Sequence, residues 1–318
     1  VALAVNHNHR STNIKIIQYY LVNAMFTRAI KTRLYLVLLC CLVLPAVSIA
    51  GPALWQVKSN TATVYLFGSI HVADKSIYPL DSKIERAFKQ SDVLVVEVDE
   101  TQADQVKLNN LMLTKGFYPM PETVESHVNK ETFDLLQDFL KKTAIPYAAV
   151  ARMRPGIIAI TLTVARLQQL GYSPELGIDR YFMKKARSAG KPIEQLETAT
   201  DQLNLLLSFS NEDLLLKHTI ISLNEMKDVF GDIVTAWKTG NTKKIEQLML
   251  NDPISEYPEF ESLMDRLFDQ RNKTMTNGIV KLLKKNKTCF VVVGAGHMVS
   301  DKGIVSLLQK RGYSVKRI

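Results

Sequence analysis

Cysteine is scarce in this chain, and its placement excludes a disulfide framework. Of three cysteines, Cys40 and Cys41 are adjacent near the start, and only Cys289 lies beyond residue 50. A mature chain with one thiol forms no internal disulfide. Cys289, inside a predicted strand, reads as a small core residue rather than a nucleophile. Acidic residues are missing from the first fifty positions, which hold Arg10, Lys15, Arg28, Lys31 and Arg33. Five of the 40 basic residues therefore sit there, and the remainder nearly balances 31 acidic ones. The net charge of +9 is largely a property of that stretch, and the rest of the chain carries no nucleic-acid footprint. The apolar run at 34–47 is interrupted by Pro45 and falls short of the roughly 20 residues that a membrane helix needs. Gly-x-Ser-x-Gly, His-Glu-x-x-His, a Walker loop and a dinucleotide fingerprint are all absent, which removes the common signatures of serine hydrolases, zincins, P-loop enzymes and dinucleotide-binding enzymes.

What is present begins with a leader. Met25 opens an export signal: Arg28, Lys31 and Arg33 form a positive start, 34–47 the apolar centre, and Ser48-Ile49-Ala50 puts small residues at −3 and −1 before Gly51. The expectation is cleavage after Ala50 and a periplasmic or secreted protein. If the signal is uncleaved, it is the only contact with a membrane. Residues 1–24 read as an upstream extension without a fold. Residues 51–318 read as a single domain, and 47% hydrophobic residues suffice for a substantial core.

Two apolar β-type runs share one ending. Thr63-Val64-Tyr65-Leu66-Phe67 leads into Gly68-Ser69-Ile70-His71, and Cys289-Phe290-Val291-Val292-Val293 into Gly294-Ala295-Gly296-His297. If these strands are neighbours, both imidazoles reach the same end of one sheet. Strands are expected at 61–67, 93–98, 191–196 and 313–317, with a helix opened by Pro79 between the first two, a βαβ unit whose default is a parallel pair. Residues from about 101 to 285 read as mostly helical. Helices are expected at 155–170, from Ser173-Pro174 to 188, at 214–230, at 233–237 and at 259–285. The fold class is thus α/β, with a central, mostly parallel sheet built from both chain ends and a large helical middle segment.

In a parallel sheet, ligands bind at the carboxyl ends of the strands. That rule selects His71, His297, Glu97 and Glu197. Each histidine alone would pass for a hydrogen-bonded turn residue, but the matched contexts argue for a pair, and Gly68, Gly294 and Gly296 allow close backbone approach. Glu97 lies within Val-Val-Glu-Val, where a carboxylate needs a metal, an arginine or a proton. The alternative to ligation is an internal ion pair with Arg152, Arg154 or Arg271. Two imidazoles and a carboxylate suit a divalent Zn, Mn, Fe or Co ion, with an open position able to acidify water. Glu197 or Asp99 could then serve as general base, with Asp99 also readable as a cap. Arg154 and Arg271 could hold an anionic group or a developing oxyanion, and Arg152 and Arg154 are candidates for substrate binding. His127 lies in a polar stretch and His218 within a helix, and neither has a partner motif.

These residues fall in stretches that resemble the TraB/GumN family. They are Leu66-Phe67-Gly68-Ser69-Ile70-His71-Val72, Val95-Val96-Glu97-Val98-Asp99, Leu176-Gly177-Ile178-Asp179, Leu196-Glu197-Thr198 with Gln202, Arg271-Asn272, Phe290 to His297, and Gly312-Tyr313-Ser314-Val315. The likeness spans residues 53–318. It implies kinship with the Tiki proteins, metal-dependent proteases, and more distantly with erythromycin esterase and ChaN-like groups. By resemblance His71, His297 and Glu97 hold the metal, while Arg271 and Asn272 line the same pocket. The expected function is an exported metal-dependent hydrolase acting on a peptide or other small substrate. Its rival is a periplasmic protein that binds haem, iron or a peptide without turnover.

Overall fold

The computed structural model describes residues 51–318. The expected extension at 1–24 and signal at 25–50 lie outside the described residues. Six strands form one sheet: β1 (Leu54–Lys58), β2 (Thr63–Ser69), β3 (Val93–Val96), β4 (Ile193–Gln195), β5 (Thr288–Gly294) and β6 (Val315–Arg317), in the order β4-β3-β5-β2-β1-β6. Pairs β4–β3, β3–β5 and β5–β2 are parallel, whereas β1 runs antiparallel to both β2 and β6. The sheet is therefore mostly parallel and drawn from both chain ends. β3 is buried along its whole length, and β2 and β5 beyond their first residues, as continuous β-branched and aromatic runs covered on both faces should be.

Two expectations change here. The strands of the βαβ unit do not pair with each other, because β5 inserts between β2 and β3. β5 is apolar and buried from Cys289 to Val293, and the centre of the sheet is where such a run loses most contact with water. The strand expected at 93–98 stops at Val96, which leaves Glu97 just past the last ladder position. β1 went unpredicted. Its five residues form a tight hairpin with β2, closed by Ser59 N–H donating to the Ala62 carbonyl (2.9 Å).

The helix expected from Pro79 runs Ser82–Gln90 and buries Ile84, Ala87 and Phe88, with Leu80 buried just ahead of it. Asp81, rather than Pro79, starts it: its carboxylate accepts from Lys83 N–H at 2.8 Å. The helical middle builds a second apolar cluster (Tyr118, Leu136, Leu140, Ile158, Leu162 and neighbours) beside the one on the sheet. The helix Glu212–Lys238 joins the two. Leu216, Ile220 and Leu223 enter the second cluster, and Val234, Ala236 and Trp237 enter the first. The two helices expected at 214–230 and 233–237 are thus one. Gly231 costs about 1 kcal/mol in a helix interior, less than the burial at either end returns. The helix expected at 259–285 opens with a short turn at Pro258–Phe260 and then runs on as helical backbone from Glu261 to Leu282, widened by one π-type turn at Asp265–Asp269. The helix expected from Pro174 is a short turn, Pro174–Leu176, followed by Ile178–Ser188. No helix among the described residues is long and apolar enough to cross a membrane.

Candidate metal centre

The β2–β5 register places Ser69 opposite Gly294, so the two Gly-x-x-His endings leave the sheet side by side. Ala295–Met298 forms one helical turn, which turns His297 back over the strand ends. β3 lies on the other side of β5 and delivers Glu97 to the same edge. The three side chains converge on the bare face of Gly294. A methyl group there would lie 3.2 Å from Glu97 Oε1, 3.3 Å from His71 Nε2 and 3.5 Å from His297 Cδ2. The site is therefore a space that any residue larger than glycine at position 294 would fill.

Each imidazole uses its Nδ1 on a partner behind it. Asn272 Oδ1 lies 2.7 Å from His297 Nδ1, and the Asn272 amide is oriented by donating to the Lys302 carbonyl (3.0 Å). Asp179 Oδ2 lies 2.8 Å from His71 Nδ1. Both acceptors call for an Nδ1–H, so in the neutral ring Nε2 is the nitrogen left with a lone pair, a state that His71 reaches only on losing its second proton, for instance to an incoming cation. His297 Nε2 and Glu97 Oε1 are 3.8 Å apart. Burial pushes His297 down to about 4, so at neutral pH this nitrogen faces the carboxylate without a proton of its own. For His71 the Asp179 charge is the largest influence and, against the opposing effect of burial, raises the imidazole to about 9. The His71 side chain is 62% exposed, so solvent screens that pair.

Glu97 is 5% exposed. Burial alone would raise its pKa. The charges of His297, His71 and Arg271 and the Gly294 N–H outweigh that effect and hold it at about 2. Its Oε1 accepts from Gly294 N–H. Its Oε2 accepts from Arg271 Nη2 (2.9 Å) and Gln202 Nε2 (3.3 Å). Glu197 sits behind Arg271 and accepts from it at both oxygens, at 3.0 Å from Nε and 2.8 Å from Nη2, and also from Gln202 at 3.1 Å. The ion pair weighed for Glu97 is thus present, with Arg271 as the partner.

Among the described residues, no three His, Cys, Asp or Glu side chains stand disposed to hold an ion as they are. Glu97 is drawn toward Arg271 and the Gly294 amide. The donor types nevertheless fit a divalent cation: two imidazoles, a carboxylate oxygen, and two carboxylates around a single guanidinium.

The other candidates lie elsewhere. Arg152 donates to the Tyr118 carbonyl (3.2 and 3.0 Å). Arg154 pairs with Glu212 (3.4 Å) and stacks over the Tyr118 ring (4.8 Å). Both belong to the helical cluster, and none of these contacts involves His71, His297 or Glu97. Asp99 caps the turn Glu100–Gln102 and pairs with Arg187 (2.6 Å). His127 pairs with Glu122 and His218 with Glu259. Sequence reasoning gave no role to Asp179 or Gln202, although both fall in quoted stretches, because a polar residue on a helix carries no sign of what it faces. Phe268, whose ring centre is 5.1 Å from that of His297, carried no signal at all.

A family model described as TraB/PrgY/gumN matches residues 53–317. The uncharacterized protein YbaP of Escherichia coli (strain K12) is 28% identical over 77% of this chain and 87% of its own length. A metalloprotease TIKI homolog of Amphimedon queenslandica is 23% identical over 83% of this chain and 61% of its own. Metalloprotease TIKI2 of Danio rerio is 23% identical over 83% and 60%. The chain thus spans about three fifths of the Tiki relatives. No solved structure matches. By the coverage of the family model, the chain belongs to the TraB/PrgY/gumN family.

Proposed function

We propose that the protein is an exported metal-dependent hydrolase of the peptidase type, with one divalent ion held by His71, His297 and Glu97. The observation that carries this reading is the convergence of His71 Nε2, Glu97 Oε1 and the His297 ring on the bare face of Gly294, with His297 Nε2 3.8 Å from Glu97 Oε1. The names of the Tiki relatives, metalloproteases at 22–24% identity, support hydrolysis. The leader supports export.

When bound, a Zn, Mn, Fe or Co ion in such a site polarises a carbonyl and lowers the pKa of water. The chain's own groups do the rest. Asn272 Oδ1 stands 2.7 Å behind His297 Nδ1 and holds that ring. Arg271 keeps Glu97 ionised and stands at the edge of the site, where a guanidinium can balance charge developing on a carbonyl oxygen. Glu197 has both oxygens engaged by Arg271. That makes it the residue that fixes Arg271 rather than a free base.

A second reading, a carrier that binds iron, haem or a peptide without turnover, draws on one observation: both Glu97 oxygens already accept hydrogen bonds. The test is incubation of residues 51–318 with a peptide library and each of the four metals in turn. The hydrolase reading predicts cleavage that a chelator stops and that Glu97→Gln abolishes. Tight metal or haem uptake with an untouched library supports the carrier. Neither uptake nor cleavage overturns both.

A further inference from the structure

We infer that Asp179 is a positioning residue for His71, and that the turn Gly177-Ile178-Asp179 is a built mount for the first Gly-x-x-His ending. The inference rests on the metal-site reading above and extends it to residues to which that reading gave no origin.

Three independent contacts join the turn to the histidine's loop. Ile178 N–H donates to the Ile70 carbonyl at 3.0 Å. Gly177 passes so close that a Cβ there would lie 2.2 Å from the His71 carbonyl oxygen. Asp179 then spans the loop with both oxygens: Oδ1 accepts from Ser69 Oγ (2.9 Å) and Oδ2 faces His71 Nδ1 (2.8 Å). The backbone contacts fix where the loop runs, and the carboxylate fixes how the ring is turned. A free histidine side chain prefers its proton on Nε2, the tautomer that cannot offer that nitrogen forward. An acceptor locked against Nδ1 reverses the preference.

The two histidines are mounted differently. His297 is 4% exposed and leans on a neutral amide, whereas His71 is on an open loop and leans on a carboxylate. A buried ring is held by packing as well as by its hydrogen bond. An exposed ring depends on its one partner. Asp179 therefore matters more to His71 than Asn272 does to His297.

The experiment uses residues 51–318 with Asp179→Ala, Asp179→Asn and Asn272→Ala, and two readouts. The first is the ring-nitrogen NMR pattern of the metal-free protein, read at a pH above the point where the His71 signals stop changing. Wild type is expected to show His71 protonated at Nδ1, Asp179→Ala to revert it to Nε2, and Asp179→Asn to retain the wild-type pattern in part. The second is Co(II) titration followed by its visible absorption. Affinity is expected to fall about 10- to 100-fold in Asp179→Ala, less in Asp179→Asn, and less in Asn272→Ala than in Asp179→Ala. An unchanged His71 tautomer in a folded Asp179→Ala protein overturns the inference, as does unchanged Co(II) affinity when wild type binds the ion. If wild type takes up no Co(II), the metal reading fails by itself, and the tautomer still decides the role of Asp179.

Discussion

At the scale of single residues, the site is defined as much by a missing side chain as by those present. Gly294 has an ordinary backbone conformation, so its identity is not set by φ. It is set by the three donor groups within 3.5 Å of where its Cβ would be. Gly294→Ala is therefore expected to abolish metal uptake while every donor remains, with a far-ultraviolet circular dichroism spectrum like that of wild type. Uptake at wild-type affinity in a folded Gly294→Ala protein would show that the ion sits elsewhere. The His71–Asp179 pair makes a second prediction, for the metal-free protein. The pKa of His71 in the folded chain, about 9, is above its ordinary 6.5. Its contribution to stability is thus fully present below pH 6.5 and is lost as pH rises through 9. The denaturation midpoint of wild type should fall across that window, and the fall should be shallower in His71→Gln. Equal slopes for the two proteins contradict the assignment.

At the scale of elements, the strand ends are braced from beneath by the helix Glu212–Lys238. Trp237 Nε1 donates to the Gly68 carbonyl at 2.7 Å in a buried setting, and its ring packs 5.9 Å from that of Phe67. Trp237→Phe keeps most of the packing and orphans a buried acceptor, a loss of about 1–3 kcal/mol. Chemical denaturation should show that loss with little change in slope, and metal affinity should weaken as the Gly68 turn loosens. A stability change within error would mean that solvent satisfies that carbonyl. This helix also shows where periodicity reading fails. A glycine at 231 looks like a stop when only local propensity is counted, but the apolar residues on either side serve two different clusters, and only tertiary packing reveals that one continuous rod serves both. The helix expected at 259–285 was legible over most of its length because its apolar spacing is helical throughout. What that spacing does not show is the wide turn at Asp265–Asp269, beside the residues that set Phe268 against His297 and Arg271 against Glu97 and Glu197, contacts of long sequence separation.

At the scale of the whole molecule, the chain closes on itself. β2 and β5 come from opposite ends of the domain and pair over seven residues, which is what brings two distant histidines together. That much was legible, because a repeated strand-Gly-x-x-His ending is a pattern that sequence alone displays. Glu97 was legible too, as a carboxylate with no polar neighbours in its strand. The order of the sheet was not, since nothing in β5 says that it inserts between β2 and β3. Nor was the segregation of Arg152 and Arg154 into the helical cluster, because an arginine after a loop looks the same whether it faces Glu212 or Glu97. Asp179 shows the same limit from the other side: a residue on a helix acquires its role only once the turn before it docks on the histidine's loop.

The central claim is that His71, His297 and Glu97 together hold one divalent ion. Its most direct test is the metal content of residues 51–318, purified without chelators and then equilibrated with Mn, Co, Zn or Fe, measured by inductively coupled plasma mass spectrometry beside His71→Ala and His297→Ala. The account predicts close to one ion per chain in wild type and a loss of nearly all of it in either variant. A wild-type protein that stays free of metal with all four ions, or variants that retain the ion, would contradict it.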